Sequence, residues 1–306
     1  LLASLKEKFL EIEASLCTAG QVDEALAIVE IGVPEIINDI KWLNGKVAHP
    51  NKWHSLRTVK RLSKKYSLKG VPAHLVLFTV FLYRCHDLGR FVEGCGLITS
   101  RGAVTVPIGY HNHGRAAVKI LERLGVLILF DRLAQEAIRF AIVHHHDRYL
   151  RPLGANASKD LKVANFFAKV VRDWDMLGGL LNKTHKWLGN PEKKRAEMRQ
   201  YGIGEEQGRI FPQSVLKDFV AFRPIGTSQI VGRKGLPRAS WEAYMLSHLA
   251  WIFNISFRET LEILLESNVI EDYLEYFKKR LPKDQYELIR DAVNRFLEQE
   301  GFSHAF

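Results

Sequence analysis

The chain has 306 residues, of which 47% are hydrophobic and 25% charged, so it has enough apolar content for a sizeable core and too much for a disordered polyelectrolyte. The formal net charge of +10 favours anionic ligands or loose affinity for nucleic acid or membrane surface, and says nothing about fold. Three cysteines, Cys17, Cys85 and Cys95, form neither a CxxC pair nor an even framework, which excludes a disulfide scaffold and is read as reduced thiols in a cytoplasmic protein.

In chain order, nearly every periodic segment reads as helix. Residues 2–16 place Leu5, Phe9, Leu10 and Ile12 on one face. Asp23 to Leu43 continues in that style, with an interruption expected at Pro34. His54 to Tyr66 is a basic helix with Leu56, Val59 and Leu62 as its apolar stripe. From Pro72 a helix runs to Cys85; its most apolar part, Leu75 to Tyr83, is too short to span a bilayer. The first residues lack a basic region followed by an apolar core, so no signal peptide is expected.

The stretch "VEGCGLITSRGAVTVPIGYHN", after Phe91, is glycine-rich with one alternating run and reads as a loop with a small hairpin near residues 97–106. His113 to Leu124 is helical and Gly125 stops it. Leu133 to His146 and Asp160 to Leu177 are helical as well. Residues 183–238 are a polar insertion whose basic cluster at 193–199 reads first as a solvated helix face and only secondarily as a nucleic-acid contact. Helices resume at Ser240, and Asp284 looks like the N-cap of a final helix ending before Gly301. The fold class is therefore all-α with at most one short hairpin. Three regions are expected: an N-terminal helical extension at 1–48, a core at 49–182, and an insertion with C-terminal helices at 183–306.

The apolar run "FLYRCHDLGRF" ends on His86 and Asp87. Burying a carboxylate without a counter-charge costs several kcal/mol by an order-of-magnitude estimate, roughly 3 or more. A metal ion would supply the counter-charge; a helix end that merely caps itself is the bland alternative. The separations are informative: 32 residues from His54 to His86, 27 on to His113, 32 on to His145 and 30 on to Asp175. Each is about one helix plus one connection, so the side chains can converge in one layer of a bundle. Imidazole and carboxylate suit zinc, iron, manganese or nickel.

This order resembles the HD-domain superfamily of metal-dependent phosphohydrolases. The resemblance covers residues 50–180. "HSLRTVKR" is similar to the family's opening His-x-x-Arg, and "CHDLGR" to its His-Asp-x-Gly-Lys with Arg90 in the lysine place. "HGRAAVKILERLG" resembles its next histidine-led helix, "VHHHDRY" the His-His-Glu-Arg-Tyr of the HD-GYP phosphodiesterases, and "VVRDWDML" its Asp-Ala-Asp-x-Leu. "LRPLG" stands where those phosphodiesterases carry Gly-Tyr-Pro, and Gly178 where many members carry an aspartate.

The resemblance implies an HD helical bundle with extra terminal helices. It implies one or two divalent ions, drawn from Mn, Fe, Ni, Zn and Mg. His54, His86, Asp87 and Asp175 would hold the first; His113, His145 and His146 the second, with Asp87 bridging. His146 is preferred over His144 as the additional ligand, and Asp147 is expected to orient a neighbouring imidazole. Asp87, Arg90 and His113 are the candidate catalytic residues, and Arg57, Arg90 and Arg101 the candidate substrate contacts. The implied reaction is hydrolysis of a phosphate mono- or diester of an anionic small molecule, a nucleotide by family precedent, through a metal-activated hydroxide. Two other readings stay open at this stage: a di-iron oxygenase of the inositol-oxygenase type, and a nucleotide-sensing module with little activity.

Overall fold

A computed structural model describes residues 2–12, 16–44, 71–91, 97–99, 102–104, 113–147, 150, 153–154, 156–183, 188, 213–223, 225, 240–303 and 306. The predicted helix at 54–66 lies outside these residues, as do His54, Arg57, Cys95 and Arg101. The chain divides into two compact units, Ser4–Asp175 and Leu1–Ala3 with Met176–Phe306. Both are helical. None of the described helices is long and apolar enough to cross a membrane.

In the first unit, α1 (Leu5–Leu10) is capped by Ser4 and buries Leu5 and Phe9. It is shorter than the periodicity predicts, and Leu10 is exposed. α2 (Ala19–Asn44) buries Val22, Ala25, Val29 and Val33, one helical face at spacings of three and four. It passes through Pro34 without the expected interruption. Pro34 and Ile31 are solvent-facing, so the carbonyl that loses its helical donor can turn to water.

α3 (Ala73–Cys85) begins after Pro72 and is buried on nearly every side along Phe81–Cys85. Its one buried cation, Arg84, is neutralised by Glu30 of α2 at 2.7 Å. Phe78 sits at the centre of an aromatic core, edge-on to Phe130 and Phe167, with Phe9 edge-on to Phe166. A 3-10 turn, Leu88–Phe91, follows α3. The expected hairpin is present as β1 (Leu97–Thr99) and β2 (Gly102–Val104), antiparallel with Leu97 opposite Val104.

α4 (His113–Arg123) ends at Gly125, whose φ of 73° lets Val126 N–H reach Leu121 O and close the helix. α5 (Arg132–His144) is N-capped by Asp131. α6 (Lys159–Lys183) runs past the predicted Leu177. Cys17 and Cys85 are buried free thiols, each pushed up to about 12 chiefly by burial, and therefore unreactive.

In the second unit, α7 (Gln213–Val220), α8 (Trp241–Leu249), α9 (Arg258–Glu266), α10 (Val269–Arg280) and α11 (Lys283–Gln299) enclose a core that includes Phe219, Leu246, Leu264, Tyr273 and Phe277. Ser240 caps α8 by accepting from Ala243 N–H. The cap of α11 is Pro282, not Asp284, which lies in its first turn. Extended backbone at Pro282 starts the helix two residues earlier than a side-chain cap at Asp284 would. Gly301, at φ 81°, stops it as expected.

Candidate metal centre

The site is built from helix ends. α3 finishes at Cys85, and His86 continues its last turn, donating N–H to Leu82 O at 2.9 Å. Asp87 follows immediately, before the 3-10 turn. His113 is the first residue of α4, and His145 is the C-cap of α5. Asp175 comes from within α6.

Two glycines allow these ends to meet. A Cβ on Gly89 would lie 1.8 Å from the carbonyl oxygen of His113, and one on Gly114 would lie 2.3 Å from that of Ile142. Any side chain at either place would push the His86–Asp87 turn off α4, or α4 off the end of α5. Gly89 and Gly114 act on the site through backbone approach alone.

The side chains converge. His113 Nε2 lies 3.0 Å from His145 Nε2 and 3.3 Å from Asp87 Oδ1. His86 Nε2 lies 3.5 Å from Asp175 Oδ1 and 3.7 Å from Asp87 Oδ2, and His145 Nε2 is 3.9 Å from Asp87 Oδ1. The His146 ring centre is 4.5 Å from that of His113 and 4.9 Å from that of His145. Two sets of three have donor atoms all within 4.8 Å of one another: His113, His145 and His146, and His86, Asp87 and His145. Ligands bonded at about 2.1 Å around a tetrahedral ion stand roughly 3.3 Å apart, so the spacing and donor types fit a divalent metal.

The outer nitrogens of two rings are already committed. His86 Nδ1 donates to Tyr83 O, and His145 Nδ1 donates to Ile142 O at 2.7 Å. That fixes the neutral tautomer with the Nε2 lone pair turned inward. For His86 the lone pair then faces two carboxylates. Electron pairs gathered around the buried His86 ring favour a cation there, either a proton or a metal. The electrostatics agree. Burial works against a charged His86, but Asp87 and Asp175 outweigh it and raise its pKa to about 9. His145 is driven well below the usual imidazole range, first by burial and then by His86 beside it.

Arg90 is 9% exposed and donates from Nε to Asp87 Oδ1 at 3.1 Å, which fixes the guanidinium at the edge of the cluster. Of the aspartate pair Asp173 and Asp175 on α6, Asp175 reaches His86, while the fully buried Asp173 lies among Lys169 and Arg172. His144 is turned away. Its ring lies on Phe140, and its Nδ1 is 2.6 Å from Asp147 Oδ2. Asp147 thus pairs with His144 and not with a cluster histidine, because main-chain carbonyls one turn back already serve that purpose for His86 and His145. Sequence reasoning missed Tyr83, which stacks on His86 with centroids 5.1 Å apart and supplies its carbonyl. The available signal was its place three residues before His86 on a buried helix. His54, Arg57 and Arg101 lie outside the described residues.

No family model, curated protein or solved structure matches this chain. The clustered His86-Asp87, His113 and His145-His146 match the signature arrangement of the HD superfamily within an all-α fold.

Proposed function

We propose that the chain is a metal-dependent phosphohydrolase acting on a phosphate mono- or diester, with a nucleotide as the substrate class. One observation carries the reading: the inward lone pairs of His86 and His145 and the carboxylates of Asp87 and Asp175 converge on one space, buried on the histidine side and open to solvent at Asp175. A divalent ion there supplies an acidified water and positive charge for phosphoryl oxygens. His86, Asp87 and Asp175, with His54, would hold one ion and His113, His145 and His146 a second; Asp87 Oδ2 lies 3.7 Å from His86, and Oδ1 3.3 Å from His113 and 3.9 Å from His145. Arg90, held by Asp87 at the edge of the cluster, places positive charge where a phosphoryl oxygen would sit, a role that a planar multi-donor guanidinium suits better than a lysine. The net positive charge of the chain favours the anion's approach.

The test is metal analysis of the purified protein, then a phosphatase and phosphodiesterase screen with Mn²⁺, Ni²⁺, Mg²⁺ and Fe²⁺. Bound metal and metal-dependent release of phosphate or nucleoside monophosphate are expected. A protein that binds none of these ions, or binds them and hydrolyses no ester, overturns the proposal.

A further inference from the structure

The second unit carries a cleft of about 440 Å³ unrelated to the histidine cluster. Leu265, Ile270, Phe302 and Phe306 give it an apolar lining. Glu262 and Glu266, one helical turn apart on α9, and Glu271, in the first turn of α10, add three carboxylates. This is an acidic patch on a chain of net charge +10.

The cleft already shows how it treats a cation. Arg258 donates from Nε to Glu262 at 2.9 Å, and its guanidinium carbon lies 4.4 Å from the centre of the Phe302 ring. One carboxylate and one aromatic face therefore hold a guanidinium at the edge of the cleft. Glu266 and Glu271 are exposed, and among the described residues no cation pairs with either. Two carboxylates beside a partly uncovered apolar surface are complementary to a segment with basic side chains flanking aliphatic ones.

We propose that this cleft docks an arginine-bearing amphipathic peptide segment of a partner protein. Its aliphatic side chains would lie against Leu265 and Phe306, and its guanidinium groups would pair with Glu266 and Glu271.

Fluorescence anisotropy on the full chain tests this with a labelled peptide, LLRRLLRRLLRR, and its acidic counterpart LLEELLEELLEE. The basic peptide should bind and the acidic one should not. Glu266→Gln with Glu271→Gln should weaken binding at least fivefold, while Glu275→Gln with Glu287→Gln, which removes two carboxylates of the same unit outside the cleft, should leave it unchanged. Metal content should be unaffected in both, which separates this result from the fate of the hydrolase reading. Equal loss in both double variants, or equal binding of both peptides, would mean general charge attraction and overturn the proposal. Wild-type self-association that the cleft substitutions abolish would make a second copy the occupant and overturn it as well.

Discussion

His113 Nε2 stands 3.0 Å from His145 Nε2, with both rings buried. His145 spends its Nδ1 hydrogen on Ile142 O, so its Nε2 is an acceptor, and the contact needs a proton on His113 or a cation shared by both. The binuclear reading expects two ions per chain in the wild type and one in His113→Ala, by elemental analysis. His144→Ala should leave the count unchanged, since His144 is paired with Asp147 outside the cluster. A wild type holding one ion, with the same count in His113→Ala, would leave His113 as a proton donor or substrate contact.

Asp87 meets His86, His113, His145 and Arg90 and contributes charge more than packing. Asp87→Ala should therefore abolish metal-dependent hydrolysis, by about 10³-fold or more. The far-ultraviolet circular dichroism should keep its helical amplitude. Loss of helix in the variant would mean that Asp87 serves folding instead.

Gly89→Ala tests the backbone approach. The new Cβ would overlap the His113 carbonyl, so the turn after α3 must move, at a cost of about 3 kcal/mol, near the top of the range for overpacking. Gly154→Ala meets nothing within 4 Å and should be neutral or slightly stabilising. Thermal or urea denaturation reads both. A Gly89→Ala protein as stable as wild type would show that the two backbones are not in contact.

The metal-free protein should lose stability as pH rises from about 7 through about 9. His86 has its pKa raised from 6.5 to about 9, so below 6.5 both folded and unfolded chains carry the proton and the full stabilisation is present. Between the two values the folded state alone holds it, and the advantage disappears as pH passes the folded value. His145, shifted downward, acts only below its ordinary value and leaves this window to His86. Melting temperatures of chelator-treated protein should fall between about pH 6.5 and about pH 8.5 in wild type and stay flat over that range in His86→Gln; above about pH 9 both should fall, as the buried thiols of Cys17 and Cys85 ionise only in the unfolded chain.

The order of ligand-type residues along the chain was legible because His86, His113 and His145 sit where an apolar period starts or stops, and helix ends are where sequence periodicity is most informative; Asp175, inside α6, was not marked in that way. His113 and the His144–His146 run lie at such ends, and Asp175 over Asp173 followed from motif register. Contacts between segments distant in sequence were not legible. Gly89 reads as punctuation until His113 is seen against it, and Asp147 reads as a partner for any nearby imidazole until carbonyls are seen to serve two of them. Pro34 misled because the penalty for proline in a helix falls when the affected carbonyl faces water.

Building the cluster from helix ends also gives it a field. α3 and α5 deliver their C-termini at His86 and His145, while α4 delivers its N-terminus at His113. The aligned peptide dipoles place about half a negative charge at each of the first two and half a positive charge at the third. The backbone alone therefore polarises the site. Two C-termini against one N-terminus leave a net negative backbone field at the cluster, so the peptide dipoles of α3 and α5 add to the carboxylates in drawing a cation in, and that of α4 offsets part of their pull.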